Sequence, residues 1–288
     1  MAAIQQDIPL VLHLRQINQH FQRYPALPHL ALRSTCRSTQ GYKAHSHPQL
    51  SIGAVTEGQT CLTIDGYQHP IKAGELVIIE PERVHACNPI DGQPRSYHML
   101  YLDHPWCLEQ LSRLYQAPLK GFRCDRRIID DPTLFERYLD LVDQLDRNEL
   151  AQAEANTETL AFELLSRWCS PTLIEDSEDG LDQRLKHRLL NDLAQPPSLE
   201  QLAREFGHSK ENLIRRFSRA FGITPKAFLT NARIEQAKRL LRNDLPLVEV
   251  AMAVGFSDQS QFHRAFVNYT ASTPRQYQQS RSIFDNNE

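Results

Sequence analysis

Apolar positions along the chain fall into two periods, and the switch between them divides it. From about Leu30 to Asp103, the short runs Leu50 to Val55, Cys61 to Ile64, Glu75 to Ile79 and Tyr97 to Leu102 are separated by Gly58, Asp65-Gly66, Ala73-Gly74, Pro81 and Pro89. Such runs between turn residues predict strands, and Asp65-Gly66 predicts a tight hairpin. Their close spacing predicts a small antiparallel barrel or sandwich. From Asp131 the period becomes helical. Asp131 is placed to cap and Pro132 to fill the first turn; Leu134, Tyr138, Leu141, Val142 and Leu145 then form one apolar stripe. Asn148 to Ala155 leads into a second helix, with Leu160, Leu164, Leu165 and Trp168. The acidic run Glu175 to Gly180 has nothing apolar to bury and reads as a linker.

Beyond that run the same unit occurs twice. Leu199, Leu202, Ala203, Phe206 and Gly207 recur 48 residues later as Leu247, Val250, Ala251, Val254 and Gly255. Leu213, Phe217, Thr224, Pro225 and Phe228 recur 49 residues later as Phe262, Phe266, Thr273, Pro274 and Tyr277. One residue inserted in the second turn accounts for the step, so the repeat spans two helices and their connector. Each copy reads as a helix-turn-helix. Ser198 with Gln201 has capping-box spacing, Gly207 ends the first helix, and Ser209 is placed to cap the next; Ser257 or Asp258 caps the corresponding helix of the second copy. Between the copies, Pro225 to Arg242 contains no interior proline or glycine and predicts a stiff helix of about 27 Å. A rod of that length holds two helices about one DNA turn, roughly 34 Å, apart.

The outward faces carry the chemistry. Leu213, Phe217, Ala220 and Phe221 share a face, leaving Glu211, Ile214, Arg215 and Ser218 on another; in the second copy Phe262 and Phe266 point inward and Gln259, Ser260, His263 and Arg264 outward. Arg215 and Arg264 fall at matching positions, where arginine pairs with the O6 and N7 edge of guanine, and the Gln259 amide suits adenine. Lys210, Arg216 and Arg219 flank the same face and suit phosphates, which position without specifying. The competing reading is that these are ordinary solvated charges on amphipathic helices.

Charge divides the same way. Residues 181–288 hold 16 basic against 11 acidic side chains, a net of +5, while the first 180 hold 16 against 24, a net of −8. The basic half suits DNA and the acidic half avoids it. No stretch approaches 18 uninterrupted apolar residues, so no membrane span is predicted. Met-Ala-Ala-Ile-Gln-Gln-Asp lacks a basic segment followed by an apolar run, so cytoplasmic location is expected. Cys36, Cys61, Cys87, Cys107, Cys124 and Cys169 are scattered, with no C-x-x-C pair, and read as free thiols, with a redox pair as the alternative. No Ser-His-Asp motif, phosphate-cradling loop or dinucleotide fingerprint is present.

The repeat resembles the C-terminal DNA-binding domain of the AraC/XylS family of transcription regulators, most specifically over Val250 to Phe266 and Thr273 to Tyr277. The resemblance implies seven helices, two reading helices on a linker helix, and base contacts from Glu211, Ile214, Arg215, Gln259, Ser260 and Arg264. Residues 30–103 resemble the cupin-like effector domain of such proteins, through Gly41 to His47, Glu57-Gly58, Asp65-Gly66 and Gly74 to Pro81 followed by His85. The implied class is α+β: a small antiparallel cupin-like β-barrel over 1–127, a helical dimerisation segment over 128–174, an acidic linker over 175–180 and an all-α double helix-turn-helix domain over 181–288. It implies a ligand-responsive regulator that binds double-stranded DNA and a small-molecule effector, with RNA polymerase as a further partner. Leu134, Tyr138, Leu141, Val142 and Leu145 are then candidates for a homodimer seam, the alternative being helices packed on their own barrel.

His45, His47 and His85 remain. Two apart on a strand, His45 and His47 point to one side, and with His85 they match three ligand positions of metal-binding cupins. The carboxylate expected shortly after His47 is missing, since Pro48, Gln49, Leu50 and Ser51 follow, and Arg83 stands where glycine is usual. Three readings stay open: hydrogen bonding to an effector, a divalent metal such as zinc, nickel or copper, and rim histidines without a ligand. A metal-dependent cupin enzyme fused to a DNA-binding domain is the rival to a regulator, and stoichiometric iron or manganese would favour it.

Overall fold

A computed structural model describes residues 19–172 and 180–279, so most of the acidic run lies outside the described residues. Eight of the strands build two sheets that set the frame of the N-terminal half, and a ninth, short one extends the first. Strands β1 (Gln19–Tyr24), β2 (Leu27–Ser38), β3 (Gln49–Glu57), β4 (Gln59–Ile64), β5 (Tyr67–Lys72), β6 (Leu76–Ile79), β7 (His85–Pro89) and β8 (Arg95–Asp103) lead into helix α1 (His104–Tyr115). After the short strands β9 (Phe122–Cys124) and β10 (Ile128–Ile129) come helices α2 (Pro132–Asp146) and α3 (Leu150–Trp168), then β11 (Cys169–Pro171). The large sheet runs β1-β2-β8-β3-β6-β10 and the small one β5-β4-β7; among the described residues they do not join into the closed barrel expected, and they stack as a sandwich. The predicted hairpin is present: Ile64 pairs with Tyr67 across Asp65 and Gly66, both at positive φ.

The large sheet is buried on both faces, which is why Leu76-Val77-Ile78-Ile79 is apolar throughout. Leu50, Ile52, Leu100 and Leu102 face α1, α2 and α3 in one core; Val55, Val77, Ile79 and Tyr97 face the small sheet in another.

The first core also takes the stripe expected at a dimer seam. Leu134, Tyr138, Leu141, Val142 and Leu145 are each at most 4% exposed within a single chain. The Tyr138 hydroxyl donates to the Ile52 carbonyl at 2.8 Å and accepts from the Leu100 amide at 3.0 Å. These residues face their own sheet and offer nothing to a second chain. β10 pairs with β6 of the large sheet and β11 with β9, so the 128–171 segment is packed against the sandwich. Asp131 caps α2 through the Leu134 amide as expected.

Among its described residues the C-terminal half contains the seven expected helices: α4 (Leu181–Leu190), α5 (Leu199–Phe206), α6 (Lys210–Phe221), α7 (Pro225–Leu241), α8 (Leu247–Ala253), α9 (Gln259–Thr270) and α10 (Pro274–Gln279). Ser198 and Gln201 form the full capping box, and Ser209, Thr224 and Asp258 cap α6, α7 and α9. Gly207 and Gly255 adopt positive φ in the two turns, and a Cβ on Gly255 would lie 2.7 Å from Ala194 backbone atoms. Each copy has its own core, around Leu202, Leu213 and Phe217 in the first and Val250, Phe262 and Phe266 in the second, and α7 contributes to both.

Candidate DNA-reading helices and the histidine cavity

Phe217 and Phe266 are fully buried, which turns the opposite faces of α6 and α9 to solvent. Glu211, Arg215, Arg216 and Arg219 on α6 and Gln259, Ser260, His263 and Arg264 on α9 are exposed; Ile214 and Lys210 are half-buried. Among the described residues no ion pair or hydrogen bond holds Arg215 or Arg264, so both guanidinium forks are available to a base edge. The phosphate candidates differ. Lys210 is bridged to Glu200 at 2.7 Å and Arg216 to Asp182 at 3.2 Å, exposed pairs that exchange readily for a phosphate. Arg219, in the last turn of α6, lines a cleft between the two halves.

That cleft, about 1000 Å³, runs between the β7 edge of the sandwich and α4 and α6, past Ser46, Glu82, His85 and Lys186. The halves touch at several points beyond it. Asn231 of α7, 5% exposed, donates to the Ser46 carbonyl at 2.9 Å. The Lys43 amide donates to the Asn268 carbonyl of α9 at 3.0 Å. Arg23 bonds the Tyr277 hydroxyl, and Phe21 packs edge-on against the Tyr277 ring at 5.3 Å. Sequence patterns gave no hint of Asn231, which reads as an ordinary polar position in a long helix.

His45, His47 and His85 do come together, by a route different from the one expected. His45 and His47 precede β3 rather than sitting in a strand. His45 instead exchanges both backbone hydrogen bonds with His85, each 2.9 Å, as an isolated bridge to β7. One ligand atom from each ring lies within 4.8 Å of the others; His47 and His85 are buried and His45 half-buried. Each Nδ1 meets a main-chain carbonyl two residues away: Lys43 for His45 at 2.8 Å, Gln49 for His47 at 3.1 Å and Arg83 for His85 at 2.9 Å. A carbonyl only accepts, so each Nδ1 carries the proton and each Nε2 keeps its lone pair. The Ser51 hydroxyl donates to the His47 Nε2 at 3.2 Å. Burial, reinforced by the neighbouring rings, holds His45 and His47 well below the usual histidine range, and burial holds His85 down to about 4. All three are neutral at neutral pH.

The rings line a cavity of about 20 Å³ whose other walls include Arg33, Tyr42 and Tyr101. Arg33 on β2 was not singled out by sequence, because a charged residue in a period-two strand reads as solvent-facing. It is 8% exposed, and its guanidinium sits 5.3–5.9 Å from the ring centres of Tyr42, Tyr97, Tyr101 and Phe21. Its Nε has no hydrogen-bond partner, and among the described residues no carboxylate pairs with it.

Comparison with known proteins agrees with this two-part arrangement. Residues 27–165 match the AraC-like ligand binding domain family, and residues 202–280 match a helix-turn-helix domain family. The chain belongs to the AraC family of transcription regulators. It is similar to the HTH-type transcriptional regulator YbfI of Bacillus subtilis, with 25% identity over 232 residues, covering 77% of this chain and 81% of that protein. The ornithine utilization regulator of Pseudomonas aeruginosa is 34% identical over 134 residues, which is 46% of this chain and 39% of that one. ToxT from Vibrio cholerae has the same fold, with a TM-score of 0.54 at 10% identity, covering 91% of this chain and 96% of ToxT. This AraC-family chain is thus a DNA-binding regulator with a ligand-binding N-terminal domain.

Proposed function

We propose that this regulator inserts α6 and α9 into successive major grooves of one duplex, with Glu211, Ile214, Arg215, Gln259, Ser260, His263 and Arg264 facing bases and Lys210, Arg216 and Arg219 facing phosphates. The observation that carries the reading is a pair of exposed, capped helices with unpaired arginines at matching positions, held by one continuous helix, α7. Retention of labelled promoter fragments by the full chain tests it. Binding should weaken steeply with salt, because phosphate contacts release counterions.

The effector, in this reading, is a small molecule with an anionic group, received beside Arg33. A guanidinium does not deprotonate in a protein, and one buried against aromatic rings with no carboxylate beside it keeps part of its desolvation cost. An anion removes that cost, which makes its binding favourable in proportion. ToxT has been solved with an unsaturated fatty acid bound, an acid of the same general kind. His45, His47 and His85 face the same cavity, and Ser46 between the first two is held by Asn231 of the linker helix. Occupancy that moves the 45–47 segment therefore alters the seat of α7, and with it the presentation of the two reading helices. Thermal-shift screening of small acids against the full chain and an Arg33→Met variant tests this half: a stabilising acid that acts equally on both would refute it.

A further inference from the structure

The six cysteines lie far apart in the sequence, and the fold brings two of them into contact. Cys124 of β9 and Cys169 of β11 are direct cross-strand partners, 45 positions apart in the chain, with their sulfurs 3.4 Å apart. The Asp125 amide donates to the Trp168 carbonyl at 2.8 Å, one step outside the pair on each strand, so the two cysteines occupy a non-hydrogen-bonded position of the ribbon. Opposed Cα atoms at such a position lie about 4.5 Å apart, inside the range of about 4.4–6.8 Å that a disulfide spans. Cys61 and Cys87 show the contrast. Cys61 faces Asn88 and Cys87 faces Leu62, so their side chains project from opposite faces of the small sheet and do not meet.

We propose that Cys124 and Cys169 are a dithiol site that hydrogen peroxide converts reversibly to a disulfide. The hydrogen bond between the sulfurs, together with burial, holds the Cys124 thiol well above the usual thiol range, so Cys124 keeps its proton and Cys169 is the sulfur that attacks. It attacks one peroxide oxygen and the O–O bond breaks, leaving a sulfenic acid on Cys169 and releasing one water. The Cys124 sulfur then attacks the Cys169 sulfur; the S–O bond breaks, and the hydroxyl leaves with the Cys124 proton as a second water. Two electrons have passed from the two thiols to the peroxide, and a reducing dithiol returns them by exchange.

Both thiols are buried, and entry is by local opening: each strand of the ribbon has only three residues, so little backbone pairing holds it shut. In a reducing compartment such a bond is transient and follows the oxidant. Its place in the chain gives it a consequence. β11 directly follows α3 and is the last strand before α4, so the bond ties the exit of the chain toward the DNA-binding half to the sandwich. The regulator thereby gains an input separate from its effector.

Hydrogen peroxide added to the full-length chain, freshly reduced with dithiothreitol and freed of it, tests the proposal by peptide mass mapping without further reduction. The expected product is a peptide pair cross-linked through Cys124 and Cys169, lost again on adding dithiothreitol. The oxidised chain should melt about 5 °C or more above the reduced one, because the bond closes the long loop that holds α2 and α3. Cys124→Ala should leave a sulfenic acid on Cys169 that dimedone labels, whereas Cys169→Ala should leave Cys124 unlabelled. Cys36→Ala, at an exposed cysteine, should form the same cross-link as the parent. Retention of a labelled promoter fragment should change about threefold or more when the parent is oxidised, and should not change in Cys124→Ala. Free thiols at both positions while Cys36 is oxidised, or a bond from either to another cysteine, would overturn the site. Dimedone on Cys124 in Cys169→Ala would overturn the order of attack. Equal retention by the reduced and oxidised parent would overturn the coupling to DNA binding.

Discussion

Arg264→Ala isolates what a single reading side chain contributes. Arg264 is exposed in the second turn of α9 and has no ion pair among the described residues, so its truncation leaves the fold within about 0.5 kcal/mol of the parent. The α9 cap is untouched, since Asp258 still accepts from the Gln261 amide at 2.7 Å. Whatever affinity is lost is therefore lost at the interface. A bidentate pair with guanine is worth about 1–3 kcal/mol of discrimination, or roughly 5- to 150-fold in Kd. Arg215→Ala should cost a similar amount, and because the two helices sit in separate cores the double variant should be additive within about 0.5 kcal/mol. Fluorescence anisotropy on an operator and its single-base variants measures this. The parent should prefer guanine to the other three bases at one position per arginine, and each variant should lose that preference at its own position only. Weakening that is uniform across all operator variants would show Arg264 to be a phosphate contact and refute the assignment.

Other outcomes follow from named contacts. Arg219→Ala should weaken binding to every sequence alike and lower the salt slope by about one, as a phosphate contact would; a changed base preference would contradict that. Tyr138→Phe removes the two buried hydrogen bonds its hydroxyl makes to the Leu100 amide and the Ile52 carbonyl, so urea unfolding should show a loss of about 1–3 kcal/mol, while light scattering shows an unchanged oligomeric state. A change in oligomeric state would restore the seam. Gly255→Ala forces a Cβ against Ala194 at a φ of 87° and should cost more than about 1 kcal/mol; an unchanged melting temperature would refute the close approach. Burial lowers the pKa of His29, His98 and His104, so the folded chain keeps them neutral where the unfolded chain takes up protons. Stability from these groups is therefore present above about pH 6.5 and lost as pH falls below it, and urea midpoints should drop between about pH 7.5 and pH 5.5. Equal midpoints would contradict the assignment.

The C-terminal half was readable because its signals are local. Ser198 with Gln201, Gly207, Ser209 and Pro225 each act within one turn of where they stand, and the repeat doubled the information. In the N-terminal half, strands and the Asp65-Gly66 hairpin were equally local, while sheet closure depends on pairings between distant strands. The α2 stripe announced burial without naming its partner: the same five side chains suit a second chain or their own sheet, and only the placement of Tyr138 over Ile52 and Leu100 separates the two. Arg33 left no local trace. Its meaning comes from three tyrosines and a phenylalanine brought in from three further parts of the chain. The histidines were picked out correctly as a group, yet their convergence comes from the His45–His85 bridge and not from strand alternation.

The central claim is that α6 and α9 occupy adjacent major grooves on one face of a duplex. Methylation protection of guanines on an operator bound by the full chain tests it most directly. Two protected patches centred about 10 base pairs apart are predicted, one lost in Arg215→Ala and the other in Arg264→Ala. A single patch, or two on opposite faces of the helix, would contradict it.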